Sequence, residues 1–154
     1  MLIEDAALMC AAMFFGAAVF VNVAEQPARL ALDDRAMLLE WQRSYNRAAP
    51  MQAGLAMVAA LLGLLSAWWM YNWQSALGAI VIFANWPYTL LVIKPINARL
   101  HAISADQANS EARRMVVLWG HLHAVRSALG LIATLIFLYV ASSPISGVFL
   151  RLPG

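Results

Sequence analysis

The residues of this chain that can do chemistry gather in four short stretches: Asn22-Val-Ala-Glu25-Gln-Pro27, Asn85-Trp86-Pro87-Tyr88-Thr89, Lys94-Pro95-Ile-Asn97 and Trp119-Gly-His121-Leu-His123-Ala-Val-Arg126. An imidazole has an ordinary pKa of about 6.5, near working pH, so His123 suits a general acid or base. A guanidinium keeps its charge even when partly desolvated, so Arg126 suits an anion or phenolate. Trp86 and Trp119 offer aromatic walls, and Asn22, Thr89 and Asn97 offer polar contacts to a bound molecule. On a helix, Trp119, His123, Arg126 and Gly130 recur at i, i+4, i+7 and i+11 and share one stripe. His121 stands roughly 160° away from His123 on the same helix. Asn85 and Thr89 are one turn apart, as are Asn97 and His101 if the helix continues past Pro95. Pro87 has no N–H, so the carbonyl of Phe83 loses its helical partner and becomes a backbone acceptor.

Each residue also has a purely structural use. Arg126 suits snorkelling toward anionic headgroups. His123 suits an interhelical hydrogen bond or, together with His121 or His101, ligation of haem or a transition metal. His121 and His101 otherwise read as interfacial residues, Trp86 and Trp119 as packing or interface anchors, and Asn22 and Asn97 as caps or interhelical links. Glu25, beside Pro27, either closes the first apolar segment in a pair with an arginine or takes part in the chemistry. Cys10 is the single cysteine, which excludes an internal disulfide, a CxxC redox pair and a cysteine zinc cluster; its apolar surroundings suit an inert thiol.

The elements that must position these groups are membrane helices. Of 154 residues, 63% are hydrophobic and 12% charged, with a mean hydropathy of +0.70. A soluble domain has about 45–50% and about 25% respectively. A net charge of +2 is too small for a nucleic-acid binder. Four segments reach the roughly 17–25 apolar residues that a span needs, approximately 6–24, 53–71, 76–93 and 118–141. The expected fold is all-α: one transmembrane domain, 1–154, as a four-helix bundle with cytoplasmic helical extensions. The first segment carries Glu4 and Asp5 where a cleaved signal would carry basic residues, so it reads as a retained span. The stub around Asn72-Trp73-Gln74 makes spans two and three an antiparallel hairpin.

Nine of the ten Lys and Arg residues lie in the first and third connections or at the start of span four, and only Arg151 lies on the other side. The positive-inside rule then places both long connections in the cytoplasm and both termini outside, in a bacterial inner membrane. Trp68, Trp69, Tyr71 and Trp73 fall where an external aromatic belt is expected. Met37, Leu38, Trp41 and Tyr45 share one helical face in the first connection, and Pro50 marks a break before span two. Ser104-Ala-Asp-Gln107 has the form of a capping box. A helix from there to about Ala141 would be roughly 55 Å long and project beyond the bilayer. The four polar stretches then meet at one depth, as a pocket opening toward the cytoplasmic leaflet.

Asn85-Trp-Pro-Tyr-Thr, Ile93-Lys-Pro-Ile-Asn97 with Leu100, and Trp119-x-x-x-His123-x-x-Arg126 resemble the DUF1772, anthrone oxygenase-like family of small four-span membrane proteins. The resemblance extends over essentially the whole chain, including the Asn22…Glu25 end of span one. It implies oxidation of a lipophilic anthrone- or quinone-type aromatic without a classical cofactor. By motif it singles out Trp86, Pro87, Thr89, Pro95, Asn97, Trp119, His123 and Arg126. In such a reaction His123 would be the base and Arg126 the anion stabiliser. Asn22, Trp86, Thr89, Asn97 and Trp119 would surround the substrate. The expected partners are the bilayer and a lipophilic small molecule, with a homo-oligomer open and nucleic acid excluded. Two alternatives stand beside this: a haem or metal protein using His123 with His121 or His101, and a non-enzymatic scaffold or lipophile-binding protein.

Overall fold

A computed structural model describes residues 2–143. Arg151, the outer basic residue of the charge argument, lies outside the described residues. The chain forms four long helices, α1 (Leu2–Leu30), α2 (Asp34–Met70), α3 (Trp73–Ala102) and α4 (Ser110–Ser142), each long and apolar enough to cross a membrane. No strand occurs among the described residues. Each helix packs on its neighbours in sequence and α4 closes against α1, so the four form a ring. The protein is an integral membrane four-helix bundle, as its composition requires. Its aromatic end carries the α2–α3 turn, and its basic end carries the α1–α2 and α3–α4 connections.

Local chemistry sets the helix ends. Asp33 is extended and its side chain accepts from the Ala36 N–H at 2.9 Å, which caps α2. Tyr71, in the left-handed region at φ 51°, ends α2, and the Asn72 side chain accepts from Gln74 N–H to start α3. Trp68, Trp69, Tyr71 and Trp73 are all largely exposed around this turn. At the other end, Arg113 bonds Asp34 and the carbonyls of Leu30 and Leu32, tying the α1–α2 connection to α4.

Two boundaries differ from expectation. Pro50 does not break the chain: α2 runs unbroken from Asp34 to Met70. The carbonyl that Pro50 leaves without a helical partner is that of Asn46, and both residues are exposed, so no buried group is stranded. The face of Met37, Leu38 and Trp41 is therefore the buried first part of the same helix that spans the membrane. Ser104, likewise, does not start α4. It precedes a short 3₁₀ turn, Ala105–Gln107, and makes no side-chain cap. The cap is Asn109, whose Oδ1 accepts from both Glu111 and Ala112 N–H, two orphan donors where Ser104 satisfies none.

The interior has two layers. Toward the aromatic end it is built of small residues, such as Ala7, Ala11, Ala59 and Ala60, around Phe14 and Phe137. A Cβ on Gly63 would lie 2.7 Å from Phe137 Cζ, so only glycine permits that approach of the helices. Toward the basic end the interior is bulky, with Met37, Leu38, Trp41, Leu100 and Trp119. The polar residues singled out by sequence lie at and just above this second layer.

Candidate active site at the basic end of the bundle

The α4 stripe turns inward as its spacing predicts: Trp119, His123, Arg126 and Gly130 are all buried, while His121 is exposed. Facing it is a local widening of α1. Between Val21 and Glu25 the helix opens to a π-turn, in which the Gln26 N–H bonds the Val21 carbonyl. Pro27 follows immediately. A proline ring presses on the carbonyl four residues back, here that of Val23, and the wider turn relieves that contact. An equivalent π-turn in α3, Thr89–Ile93, precedes Pro95, with the Lys94 N–H bonded to the Thr89 carbonyl. Helix α3 continues past Pro95 to Ala102, as the Asn97–His101 spacing assumed.

Asn22 in the first π-turn is fully engaged with α4. Its Nδ2 donates to the Gly120 carbonyl at 2.9 Å, so its Oδ1 faces away from that carbonyl as an acceptor. Two groups meet this Oδ1: the Ser127 hydroxyl at 2.8 Å and His123 Nδ1 at 3.0 Å. An amide oxygen cannot donate, so the hydrogen of that contact resides on Nδ1, and a neutral His123 carries its free lone pair on Nε2. Trp119 packs on the imidazole at 4.9 Å between ring centres, and the Arg29 guanidinium lies 5.6 Å over the Trp119 indole.

Arg29 belongs by sequence to the charges of the first connection, yet only 2% of it is exposed. It bonds Glu40 at 2.6 Å and Glu25 at 3.1 Å, and Ser44 donates to Glu25, so the network joins α1 to α2. Glu25 thus ends its segment paired with an arginine. Gln26 completes the same layer by donating to the Val116 carbonyl at 2.8 Å.

The expected single chamber is divided in two. A cavity of about 230 Å³ lies between α2 and α3, with Tyr45, Asn85, Trp86, Thr89 and Arg126 in its wall and exposed Pro50 and Leu90 at its rim. His123 and Trp119 instead border a crevice of about 10 Å³. Tyr45, Ala49 and Arg126 line both spaces and form the partition. Asn22 borders neither, because its bonds to α4 occupy it. Asn97 is buried and donates to the Tyr45 hydroxyl at 2.8 Å. Trp86 is held in place by its Nε1–H, which donates to the Ala53 carbonyl at 3.3 Å.

Arg126 differs from Arg29. It is 6% exposed, its guanidinium lies 5.5 Å over the Phe14 ring, and it makes no hydrogen bond or ion pair with the described residues. Gln52 Oε1, Asn85 Oδ1 and Asn97 Oδ1 are also buried without hydrogen-bond partners. Unmatched polar atoms therefore collect at this level of the bundle, where a bound molecule has something to meet. The three histidines do not converge. His101 is exposed and packs at 5.1 Å from Trp41 and 5.4 Å from Tyr45, and no group of three or more His, Cys, Asp or Glu gathers among the described residues. Sequence alone misses Tyr45, which reads as one more member of an apolar face, and Gln52, whose position at the edge of span two was the available signal.

The profile of the family described as anthrone oxygenase matches residues 41–136, which include Tyr45, Trp86, Asn97, His123 and Arg126 but not Asn22. An anthrone oxygenase of Claviceps purpurea is 31% identical over 105 residues, covering 60% of this chain and 60% of the relative, so the chain spans about three fifths of that protein's length. Anthrone oxygenase tpcL of Aspergillus fumigatus is 32% identical over 108 residues, covering 65% of this chain and 67% of the relative. No solved structure matches. The bundle, the site and these similarities lead to one assignment: the chain belongs to the anthrone oxygenase family.

Proposed function

We propose that this protein is a membrane-embedded oxygenase of a lipophilic anthrone- or quinone-type aromatic, bound in the cavity between α2 and α3. The observation that carries this reading is Arg126, a buried cation with no counter-ion among the described residues, set in the wall of a cavity beside Trp86 and Tyr45. An unpaired charge in a membrane interior is costly, and function is the usual reason to keep one. A flat, apolar aromatic with one oxygen that becomes anionic fits that wall.

The reaction balances without a separate reductant. A base takes a proton from the CH₂ of the anthrone, leaving an enolate whose oxygen carries the charge. The enolate gives its electrons to O₂ and a C–O bond forms. Loss of water then breaks the O–O bond, so one oxygen atom stays as the new carbonyl and the other leaves with the two CH₂ hydrogens. Arg126 stabilises the enolate oxygen. His123, held through Nδ1 by Asn22, receives the proton on Nε2. The crevice beside it has about the room one water molecule needs, and such a water would carry the proton past the Tyr45–Arg126 partition.

Depth favours the same reading. The hydrocarbon core is about 30 Å thick, or about twenty residues of helix. Counted along α2 from the aromatic belt at Trp69, that thickness ends near Ala49, which lines the cavity. A substrate can enter from lipid past Pro50 and Leu90, while the proton leaves toward water. By the distribution of Lys and Arg, this end lies at the cytoplasmic leaflet.

The test is aerobic turnover of anthrone by the purified protein, following anthraquinone formation and O₂ uptake in a one-to-one ratio. His123→Ala should lower kcat by roughly 10²–10⁴-fold. A variant as active as wild type would remove His123 from the reaction.

A further inference from the structure

Tyr45 is the one hydroxyl in the partition between the two spaces, and the resemblance to known oxygenases gives it no role. Its position is tightly defined. The ring stacks on Trp41 at 5.1 Å with 14° between planes, and His101 packs against both, 5.4 Å from Tyr45 and 5.1 Å from Trp41. The oxygen accepts a hydrogen bond from Asn97 Nδ2 at 2.8 Å. That bond uses a lone pair and leaves the O–H proton uncommitted, since no described residue accepts from it. A phenol that already accepts one bond and is held by two ring contacts is a directed donor, and it borders the cavity that Arg126 also borders.

We propose that the Tyr45 hydroxyl and the Arg126 guanidinium together bind the oxygen of the substrate that becomes anionic when its CH₂ loses a proton, with Asn97 as the positioning residue for Tyr45. This rests on the oxygenase reading given above. The ligand class is accordingly narrowed to aromatic ketones that can enolise, with the ring lying along the partition so that its oxygen and its CH₂ are both close to it. Arg126 supplies charge, and Tyr45 supplies direction. Electrostatic stabilisation of this kind acts most strongly on the charged state, so it should appear in ionisation of the bound ligand as well as in turnover.

The experiment uses the detergent-solubilised full chain and anthrone under anaerobic conditions, where oxidation cannot proceed. Keto and anionic anthrone differ in absorption, so a pH titration gives the ionisation midpoint in wild-type protein and in empty micelles. Wild type should ionise anthrone at lower pH than micelles do. Tyr45→Phe, which keeps the stacked ring, should shrink that shift by about one pH unit, a tenfold loss of preference for the anion, and lower aerobic kcat by about 10²-fold. Asn97→Leu, which frees the hydroxyl without removing it, should give an intermediate shift, and it carries the same test should Tyr45→Phe not fold. Variants with the wild-type midpoint would overturn the role of Tyr45 while leaving Arg126 and His123 in place. They would also mean that Asn97 is turned the other way and consumes the phenol proton. Wild type that ionises anthrone no better than micelles do would overturn the oxygenase reading and this inference with it.

Discussion

Asn22 shows how one amide can fix the chemistry of another residue. It donates to the Gly120 carbonyl and accepts from Ser127 and His123, and this pattern leaves His123 only one tautomer when neutral. Hydrogen bonds between membrane helices average only about 0.6 kcal/mol, with a maximum near 1.7. The three bonds therefore do more for imidazole orientation than for stability. Asn22→Leu should lower the unfolding free energy by about 1–3 kcal/mol through the groups left unpaired, yet reduce kcat by about tenfold or more. Nitrogen NMR of labelled histidine separates the two effects. Wild type should show His123 protonated on Nδ1 alone, and the variant a mixture of tautomers; an unchanged tautomer with lost activity would make Asn22 a structural residue only. His123, Arg126 and Trp119 were legible in the sequence because their spacing puts them on one stripe of an unbroken helix. Tyr45 was not, because its spacing with Trp41 is that of ordinary core. Asn97 was legible as a polar member of the site, but not as the partner of Tyr45, because that contact joins residues 52 positions apart.

The helices themselves were readable from hydropathy, but their irregularities were not. Three prolines followed two courses. Pro50 is absorbed in a continuous helix because the carbonyl it frees is exposed, whereas Pro27 and Pro95 each follow a π-turn. Apolar periodicity registers none of this, since it counts residue types and not backbone bonds. The turn at Thr89–Ile93 matters because it holds one residue more than regular helix would need. It therefore lets Thr89 face the cavity while Asn97, farther along, reaches Tyr45. Deleting Leu91, which is 77% exposed within that turn, should convert it to regular helix and leave both flanks where they are. Deleting Ile80, 62% exposed in regular helix, has no spare residue to draw on. It should rotate all that follows in α3 by about 100° and remove Asn85 and Thr89 from the cavity. Thermal unfolding in detergent should show a melting temperature close to wild type for the first deletion and a large loss for the second. Equal losses would mean that the π-turn is not an inserted residue.

At the scale of the whole molecule, composition alone established a membrane protein, and the structure adds how its length is distributed. Helix α2 has 37 residues, about 55 Å at 1.5 Å per residue, against a hydrocarbon core of about 30 Å. With the exposed ring of Trp68, Trp69, Tyr71 and Trp73 at one interface, the surplus must emerge at the other end. That end carries the Arg29–Glu25–Glu40 network and the exposed Arg43 and Arg47. The small-residue layer around Phe137 then lies deep in the bilayer and the candidate site at its far boundary, where lipid, dissolved O₂ and protons are all within reach. Nine of ten Lys and Arg residues belong to this end, from which the positive-inside rule predicts that it faces the cytoplasm. The orientation can be measured directly because Cys10 is the only cysteine. In a Cys10→Ser background produced in bacteria, Trp73→Cys should react with a membrane-impermeant maleimide on intact cells. Arg47→Cys should react only after the inner membrane is permeabilised. The opposite pattern would invert the bundle and place the release of the substrate proton on the external face.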